Sequence, residues 1–465
     1  MRMAIDFICR SIEGKVVWGE KSGYVYSVST DSRDIGNECL FIALRGERFD
    51  GHDFVLEAFA KGAYAAVVDR DVPGEIPAGK VVIKVADTLK ALQMLAKSYR
   101  ERFKIPVIAV TGSVGKTTTK EIIASLLARR FNTLKTEGNF NNDIGVPLTL
   151  FKLEAHHQAA VIELAMRALG EIDRLSYMVK PHAAVITNVE PVHLETLGSM
   201  ENIARAKCEV LKYIDPDGFA LINGDNQLLR KTAANYSCRK YTFGYNNDCD
   251  FRIVKVESKN KGINIVADMR GKVYKMFFPL PASKLAYNVV AGVAACHLLG
   301  IDMHDAISAL AHYEAGDNRL RVINLSWGGK IIDDTYNANP LSMEAALETG
   351  KNLREKGRLV AVLGDMYELG SYEIEGHLEV GKKASQNRVD ILVTVGKLGK
   401  YIAQGALQAG MSPDKVYSFA DKEEAFSFLC AHLDNEDTVL FKASRGMKME
   451  VLVERYLDFM ENRDK

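Results

Sequence analysis

Between an apolar run and a helix-like segment, the stretch VTGSVGKTTTKEII (residues 110–123) gathers Gly112, Ser113, Gly115, Lys116, Thr117 and Thr118 into one short loop. Glycines at two of these places let backbone N–H groups turn toward a phosphate, and the helix that follows offers its positive N-terminal end to the same anion. A lysine after the second glycine can neutralise β- and γ-phosphate oxygens, and the next threonine offers a hydroxyl to magnesium. The common loop of this kind has four residues between its glycines, whereas only Ser113 and Val114 separate them here.

Three more residues could join that chemistry. Glu163 ends the apolar run AAVIEL; a carboxylate there suits magnesium beside a phosphate loop, and a solvated strand-end carboxylate is equally ordinary. His193, in VITNVEPVHLETLGSM, read alone is a packing or surface histidine, because hard magnesium prefers oxygen to imidazole. Lys207, in IARAKCEVL, read alone is an exposed helix lysine.

Residues so far apart need a scaffold that returns them to one place. From Ile105 onward the chain alternates strand and helix patterns: VIAVT, AAVIEL, AAVITNV and FALING read as strands with helices between them. Such alternation predicts a mainly parallel, doubly wound α/β sheet with ligands at the carboxyl ends of its strands, where the loop, Glu163 and Asn188 all fall. Runs near DFRIVKV, INIVADM and KVYKMFF suggest an antiparallel appendage before a helix at KLAYNVVAGVAACHLLG. Upstream, ECLFIAL, HDFVLEAFAKGA, AYAAVVD and KVVIKV form a small α/β unit. A bridging amphipathic helix follows at DTLKALQMLAKSYRERF, capped by Asp87, with Leu89, Leu92, Leu95, Tyr99 and Phe103 near helical spacing. Downstream, RLVAVLGD, VDILVTVG and DTVLFKAS predict a second doubly wound unit. At about 150 residues per domain, 465 residues suggest three, with boundaries at 1–86, 87–312 and 313–465.

Composition narrows the class. Lys plus Arg and Asp plus Glu are both 60, so no basic excess recommends nucleic acid as the main partner. The seven cysteines are scattered, odd in number and free of any C-x-x-C pair, as expected of reduced thiols in the cytoplasm. No uninterrupted apolar run approaches the ~18 residues of a membrane span, and MRMAIDFICRSIEG has no signal-like apolar region.

The short G-x-x-G-K-T loop resembles the ATP loop of the Mur ligase and folylpolyglutamate synthetase superfamily. Longer stretches extend the resemblance to the Mur ligases over nearly the whole chain: TDSRDIGNECLFIALRGERFDGHDF (30–54), EGNFNNDIGVPLTLF (137–151), IIDDTYNANPLSM (331–343) and LGDMYELG (363–370). They are most similar to the members that join D-alanyl-D-alanine to UDP-MurNAc-tripeptide. The resemblance implies three domains: an N-terminal domain for the UDP-substrate, a central P-loop ATPase domain, and a Rossmann-like C-terminal domain that closes over ATP. It also implies ATP and Mg2+ as cofactors, with Lys116 and Arg319 on the transferred phosphate, and Thr117 and Glu163 on one magnesium. His193 and a carbamylated Lys207 would serve a second. By the same resemblance Asn288 lies on the adenine side, Asp334 meets the ribose, Ser32 and Arg33 approach the uridine, and Asn139, Asn141 and Asn142 line the substrate cleft. A cytoplasmic, monomeric enzyme that does not insert into a membrane is expected.

The chain departs from the family pattern in places. PASKLAYN carries Ala282 and Lys284 where Gly-x-His is frequent, the usual Gly-Arg is Asn318-Arg319, Lys-Gly-Ser is Lys442-Ala443-Ser444, and Glu-x-Gly is Glu163-Leu164-Ala165. Two other readings stay open on sequence grounds: a Mur ligase that adds a different amino acid or dipeptide, and a P-loop nucleotide-binding regulator that ligates nothing.

Overall fold

The computed structural model describes residues 1–46, 49–192, 194–259, 261–314, 316, 318–325 and 328–462. Three mixed sheets, rich in parallel pairs, follow one another along the chain. The first has five strands and runs between Lys15–Trp18 and Ser27–Ser29, with Val81–Lys84, Ala63–Val68 and Cys39–Ile42 between them. The last has six strands, in the order Arg321–Asn324, Lys330–Asp333, Thr438–Lys442, Leu359–Gly364, Ile391–Val395 and Val416–Phe419.

The central sheet has nine strands, and its order decides where a ligand can sit. Val107–Thr111 lies between Ala159–Glu163 and Ala183–Ile186, parallel to both. The chain thus winds to one side of Val107–Thr111 and then to the other, which opens a crevice at the carboxyl ends of these three strands. All three are buried throughout, as their nearly unbroken Ala, Val and Ile content requires of parallel strands covered on both faces.

The expected antiparallel appendage is part of this sheet. Phe251–Lys259 pairs parallel with Lys240–Gly244, and Gly262–Met269 and Val273–Phe278 then continue antiparallel. The sequence reading passed over Lys240–Gly244 and Thr133–Lys135. Their mixed polar and apolar residues give no burial pattern, and pairing with neighbouring strands defines them.

The bridging helix spans Thr88–Arg100, and the Asp87 side chain accepts a hydrogen bond from Lys90 N at 2.8 Å. It buries Leu92, Leu95 and Tyr99. Leu89 departs from the expected apolar stripe: it is 38% exposed and borders the large cavity described below.

Asp87→Ala removes the partner of an otherwise orphaned N–H, and the expected cost is about 1 kcal/mol. It should appear as a lower urea midpoint of unfolding. An unchanged midpoint would mean that solvent serves the Lys90 amide equally well.

Candidate active site

A cavity of about 1200 Å³ occupies the crevice. The central sheet contributes Gly115, Lys116, Thr117, Thr118 and Glu163 to its wall, and the C-terminal part contributes Arg319 and Asp334. Residues about 200 positions apart therefore face one space.

The phosphate loop is held from two sides. Gly112 has φ +146° and Gly115 φ +82°, backbone conformations that side chains disfavour. A Cβ on Gly112 would stand 1.9 Å from Thr187 Oγ1, and one on Gly115 2.3 Å from Asn288 Nδ2. Asn288 donates to Gly115 O at 3.2 Å and Thr119 Oγ1 at 2.9 Å, and Val114 N donates to Asn188 Oδ1 at 2.9 Å. Ser113 Oγ donates to the carbonyl of Glu190 at 3.1 Å and accepts from its N–H at 2.9 Å. Lys116 Nζ lies back over the loop, donating to Gly112 O at 2.9 Å and Ser113 O at 3.2 Å.

Glu163 sits at the centre of a buried network. Thr117 Oγ1 donates to its Oε2 and Asn141 Nδ2 to its Oε1, both at 2.8 Å. Its own N–H donates to Thr136 Oγ1 at 2.9 Å, and the Thr136 carbonyl accepts from Lys120 Nζ at 2.6 Å. The Lys120 ammonium is 3.9 Å from Glu163 Oε2. The sequence reading missed Lys120, whose one signal was its place four residues, one helical turn, beyond Lys116.

Lys207 overturns its single-residue reading. It lies in the helix Met200–Cys208 and is only 2% exposed. Burial first, and then the positive charge of Lys116, push its pKa well below that of an ordinary lysine. Burial also lowers Lys116, with Glu163 pulling the other way and Arg319 adding to the fall. His193 lies outside the described residues.

On the C-terminal wall the Arg319 guanidinium lies over the Tyr336 ring, 3.8 Å from its centroid. Asp334 is buried, accepts from Leu320 N at 3.1 Å, and pairs with Lys442 Nζ at 2.6 Å. Lys442 also donates to Asn337 O at 2.8 Å. Tyr336 was not among the expected site residues, and Lys442 was named only as the first residue of the Lys-Ala-Ser departure from the family pattern. Their positions just past and at a strand's carboxyl end were the available signal.

Asn139, Asn141 and Asn142 border the cavity. The Asn142 side chain accepts from Gly145 N at 2.8 Å and so opens the helix Gly145–Leu150. Ser32 and Arg33 are not part of this wall. Arg33 is largely exposed and binds Asp31 at 2.7 Å, and that hydrogen bond holds the Asp31 carboxyl down at about 2.

Three family models match the chain in order: "Mur ligase family, catalytic domain" over 24–100, "Mur ligase middle domain" over 110–296 and "Mur ligase, glutamate ligase domain" over 318–445. The UDP-N-acetylmuramoyl-tripeptide--D-alanyl-D-alanine ligase of Bacillus subtilis (strain 168) is 40% identical over 434 residues, 93% of each chain. The chain belongs to the Mur ligase family. The ligase of the same name from Escherichia coli (strain K12) is 35% identical over 92% of each chain. Among solved Mur ligases, MurF from Acinetobacter baumannii superposes with a TM-score of 0.88 at 33% identity, covering 98% of this chain and 99% of its own. MurF from Thermotoga maritima in complex with ADP gives 0.82 at 28% identity over 94% and 99%. The three-domain fold expected from the sequence is thereby shown.

Because the folded protein lowers the pKa of Lys207, the unfolded chain binds the proton more readily over the interval up to the ordinary value of 10.5. Stability therefore rises with pH across that interval, and the burial penalty is greatest on its acid side. Lys207→Met should melt at a higher temperature than the parent in ligand-free, carbon-dioxide-depleted buffer near neutrality, with an advantage that shrinks as pH rises. A variant that melts lower throughout would show that the ammonium is well held in the folded state.

Proposed function

We propose that this chain is the ATP-dependent ligase that joins D-alanyl-D-alanine to UDP-MurNAc-tripeptide, giving the UDP-MurNAc-pentapeptide used in peptidoglycan synthesis. What carries the reading is the match to the Bacillus subtilis dipeptide ligase over 93% of both chains. The convergence of the phosphate loop, Glu163, Arg319 and Asp334 on one cavity supports it. The domains lie at 1–86, 87–312 and 313–465. The enzyme is read as a monomer.

A carboxylate does not condense with an amine until one oxygen becomes a leaving group. The terminal carboxylate of the tripeptide attacks the γ-phosphorus of ATP and ADP departs. The amine of the dipeptide then attacks the acyl phosphate, the C–N bond forms, and phosphate leaves with the acyl oxygen. Such transfers depend chiefly on positioning and charge neutralisation. Gly112, Ser113, Gly115 and Thr118 wrap the phosphates, while Lys116 and Arg319 balance charge on the transferred group. Tyr336 offers its ring face to Arg319 and so helps to hold it at one wall. Asn288 holds the loop on the adenine side, and Asp334 receives the ribose. Asn139, Asn141 and Asn142 face the acyl substrate, and Ser32 and Arg33 meet the uridine in the N-terminal domain.

Thr117 Oγ1 and Glu163 Oε2, 2.8 Å apart beside the loop, are the hard oxygen donors that magnesium takes. The ion's remaining positions would fall to phosphate oxygens and water. Bound magnesium would supply positive charge to the phosphate oxygens. A second ion would be held by His193 and by Lys207 as its carbamate: the buried neutral amine adds carbon dioxide, forms an N–C bond and releases a proton. Burial and the neighbouring Lys116 favour that neutral amine.

Phosphate release from ATP is expected only when UDP-MurNAc-tripeptide and D-alanyl-D-alanine are both present, with a product heavier by the dipeptide in the mass spectrum. Turnover indifferent to the dipeptide would leave a nucleotide-binding regulator in its place. Glu163→Gln should lower kcat by about 10²-fold, the order expected when a charge-stabilising contact is lost; a rate within twofold of the parent would remove Glu163 from the site. Lys207→Ala should lose activity and regain part of it with added short carboxylates. No recovery at any concentration would count against the carbamate.

A further inference from the structure

Lys284 stands where Mur ligases frequently have histidine, and its side chain borders the cavity. The ammonium is committed elsewhere: it forms an ion pair with Glu344, on the helix Pro340–Leu353 of the C-terminal domain. Glu344, Glu348 and Asn352 follow at four-residue intervals and so share one helix face. All three are tied to the central domain. Ser283 donates to Glu348 Oε1 through its N–H at 3.1 Å and its hydroxyl at 2.5 Å. Asn352 Nδ2 donates to Ser258 Oγ at 2.9 Å and Pro281 O at 2.8 Å, and Ser258 Oγ closes the triangle by donating to Pro281 O at 3.0 Å. Lys383, in Glu373–Gln386 of the C-terminal domain, steadies Glu344 from its own side at 2.9 Å.

Both ends of this stripe lead to the cavity. The segment Pro281–Lys284 runs directly into the helix Ala286–Leu298, whose Asn288 presses on Gly115. The other partner, Pro340–Leu353, is capped by Asn339, whose side chain accepts from Ser342 N at 2.9 Å. Asn337 and Asn339 border the cavity just before that helix. A shift along the stripe would move one nucleotide wall against the other.

We propose that the polar stripe is an interdomain clasp that fixes the C-terminal domain on the central one, which makes Ser283, Lys284, Glu344 and Glu348 positioning residues for the nucleotide. This rests on the reading of the cavity as the ATP site. Ser283 and Glu348 do not border the cavity, so they act only through the helix they hold. Ser283→Ala with Glu348→Gln removes the hydroxyl bond and the carboxylate charge together, while an amide oxygen still serves the backbone N–H at position 283, so the fold should tolerate the pair.

The test compares the full-length protein with Ser283→Ala/Glu348→Gln, Lys284→Met and Lys383→Met. ADP affinity by calorimetry is expected to fall roughly tenfold in the double variant and in Lys284→Met. X-ray scattering of the double variant with ADP should give a larger radius of gyration than the parent, and KM for ATP should rise more than kcat falls. Lys383→Met cuts only the pair inside the C-terminal domain and should bind ADP like the parent. Ser283→Thr, which keeps the hydroxyl, should do the same. If Lys284→Met alone weakens ADP, Lys284 touches the nucleotide and the clasp is wrong; a double variant that melts lower yet binds normally also overturns it. An ADP response as expected without dipeptide-dependent phosphate release would leave the clasp standing and overturn the ligase reading.

Discussion

Thr187 and Asn288 approach the phosphate loop so closely that neither Gly112 nor Gly115 has room for a Cβ, and much of the architecture serves to bring those side chains there. Thr187 follows directly on Ala183–Ile186, the strand paired with Val107–Thr111, so sheet register fixes its distance from the loop. Asn288 arrives from the helix Ala286–Leu298, which packs along Lys116–Leu127. The loop is therefore set by sheet pairing on one side and helix packing on the other. These contacts fix the loop backbone, with the Ser113 and Val114 N–H groups held by Asn188, and fixed geometry of this kind is where such a site derives its selectivity for charge.

Preorganisation of this kind carries a cost in stability. Lys120, Lys207 and Lys442 are at most 2% exposed, and Lys116 lies partly buried beside them. Taking ammonium groups out of water is unfavourable unless a counter-charge is close. Glu121 and Glu163 stand 3.0 and 3.9 Å from the Lys120 ammonium and Asp334 pairs with Lys442 at 2.6 Å, while Glu163 and Asp334 also accept hydrogen bonds from other groups. Around the loop Lys116 still feels the positive charge of Arg319, and Lys207 feels that of Lys116. A triphosphate placed among these three cations relieves part of their mutual repulsion. Burial is the first cause of the lowered pKa values of Lys116 and Lys207, and the neighbouring cations add to the fall.

The parts of this arrangement that sequence revealed are those that repeat a pattern. Val107–Thr111, Ala159–Glu163 and Ala183–Ile186 are buried on both faces, and their apolar runs announced both the strands and the parallel sheet. Strands such as Thr133–Lys135 and Arg321–Asn324 escaped notice because hydrogen bonds to neighbours, rather than their own apolar pattern, define them. The loop residues were legible from spacing alone. Glu163, Arg319 and Asp334 required resemblance to a family, since nothing local tells a strand-end carboxylate that faces a cavity from one that faces water. Lys207 shows the limit most sharply: IARAKCEVL reads as an exposed helix, yet tertiary packing buries the lysine. Lys120, Tyr336 and Lys442 act through partners distant in sequence, and only the fold discloses those partners.

Dividing one cavity between two domains follows from the chemistry. An acyl phosphate hydrolyses in water, so the site must be closed while it exists; a UDP-linked peptide, ATP and a dipeptide cannot enter a closed site. A wall that moves meets both demands. The central sheet carries the phosphate loop and Glu163 on rigid strand ends, while Arg319 and Asp334 stand on the other unit. On the proposed reading, charge neutralisation by Arg319 is then available only when the domains meet. Apolar residues of both units share one buried cluster, so the contact that sets the register and still parts on opening is best made of polar groups. The stripe of Glu344, Glu348 and Asn352 has that character: hydrogen bonds and an ion pair that water can replace on opening, set in a register that restores the same geometry on closing.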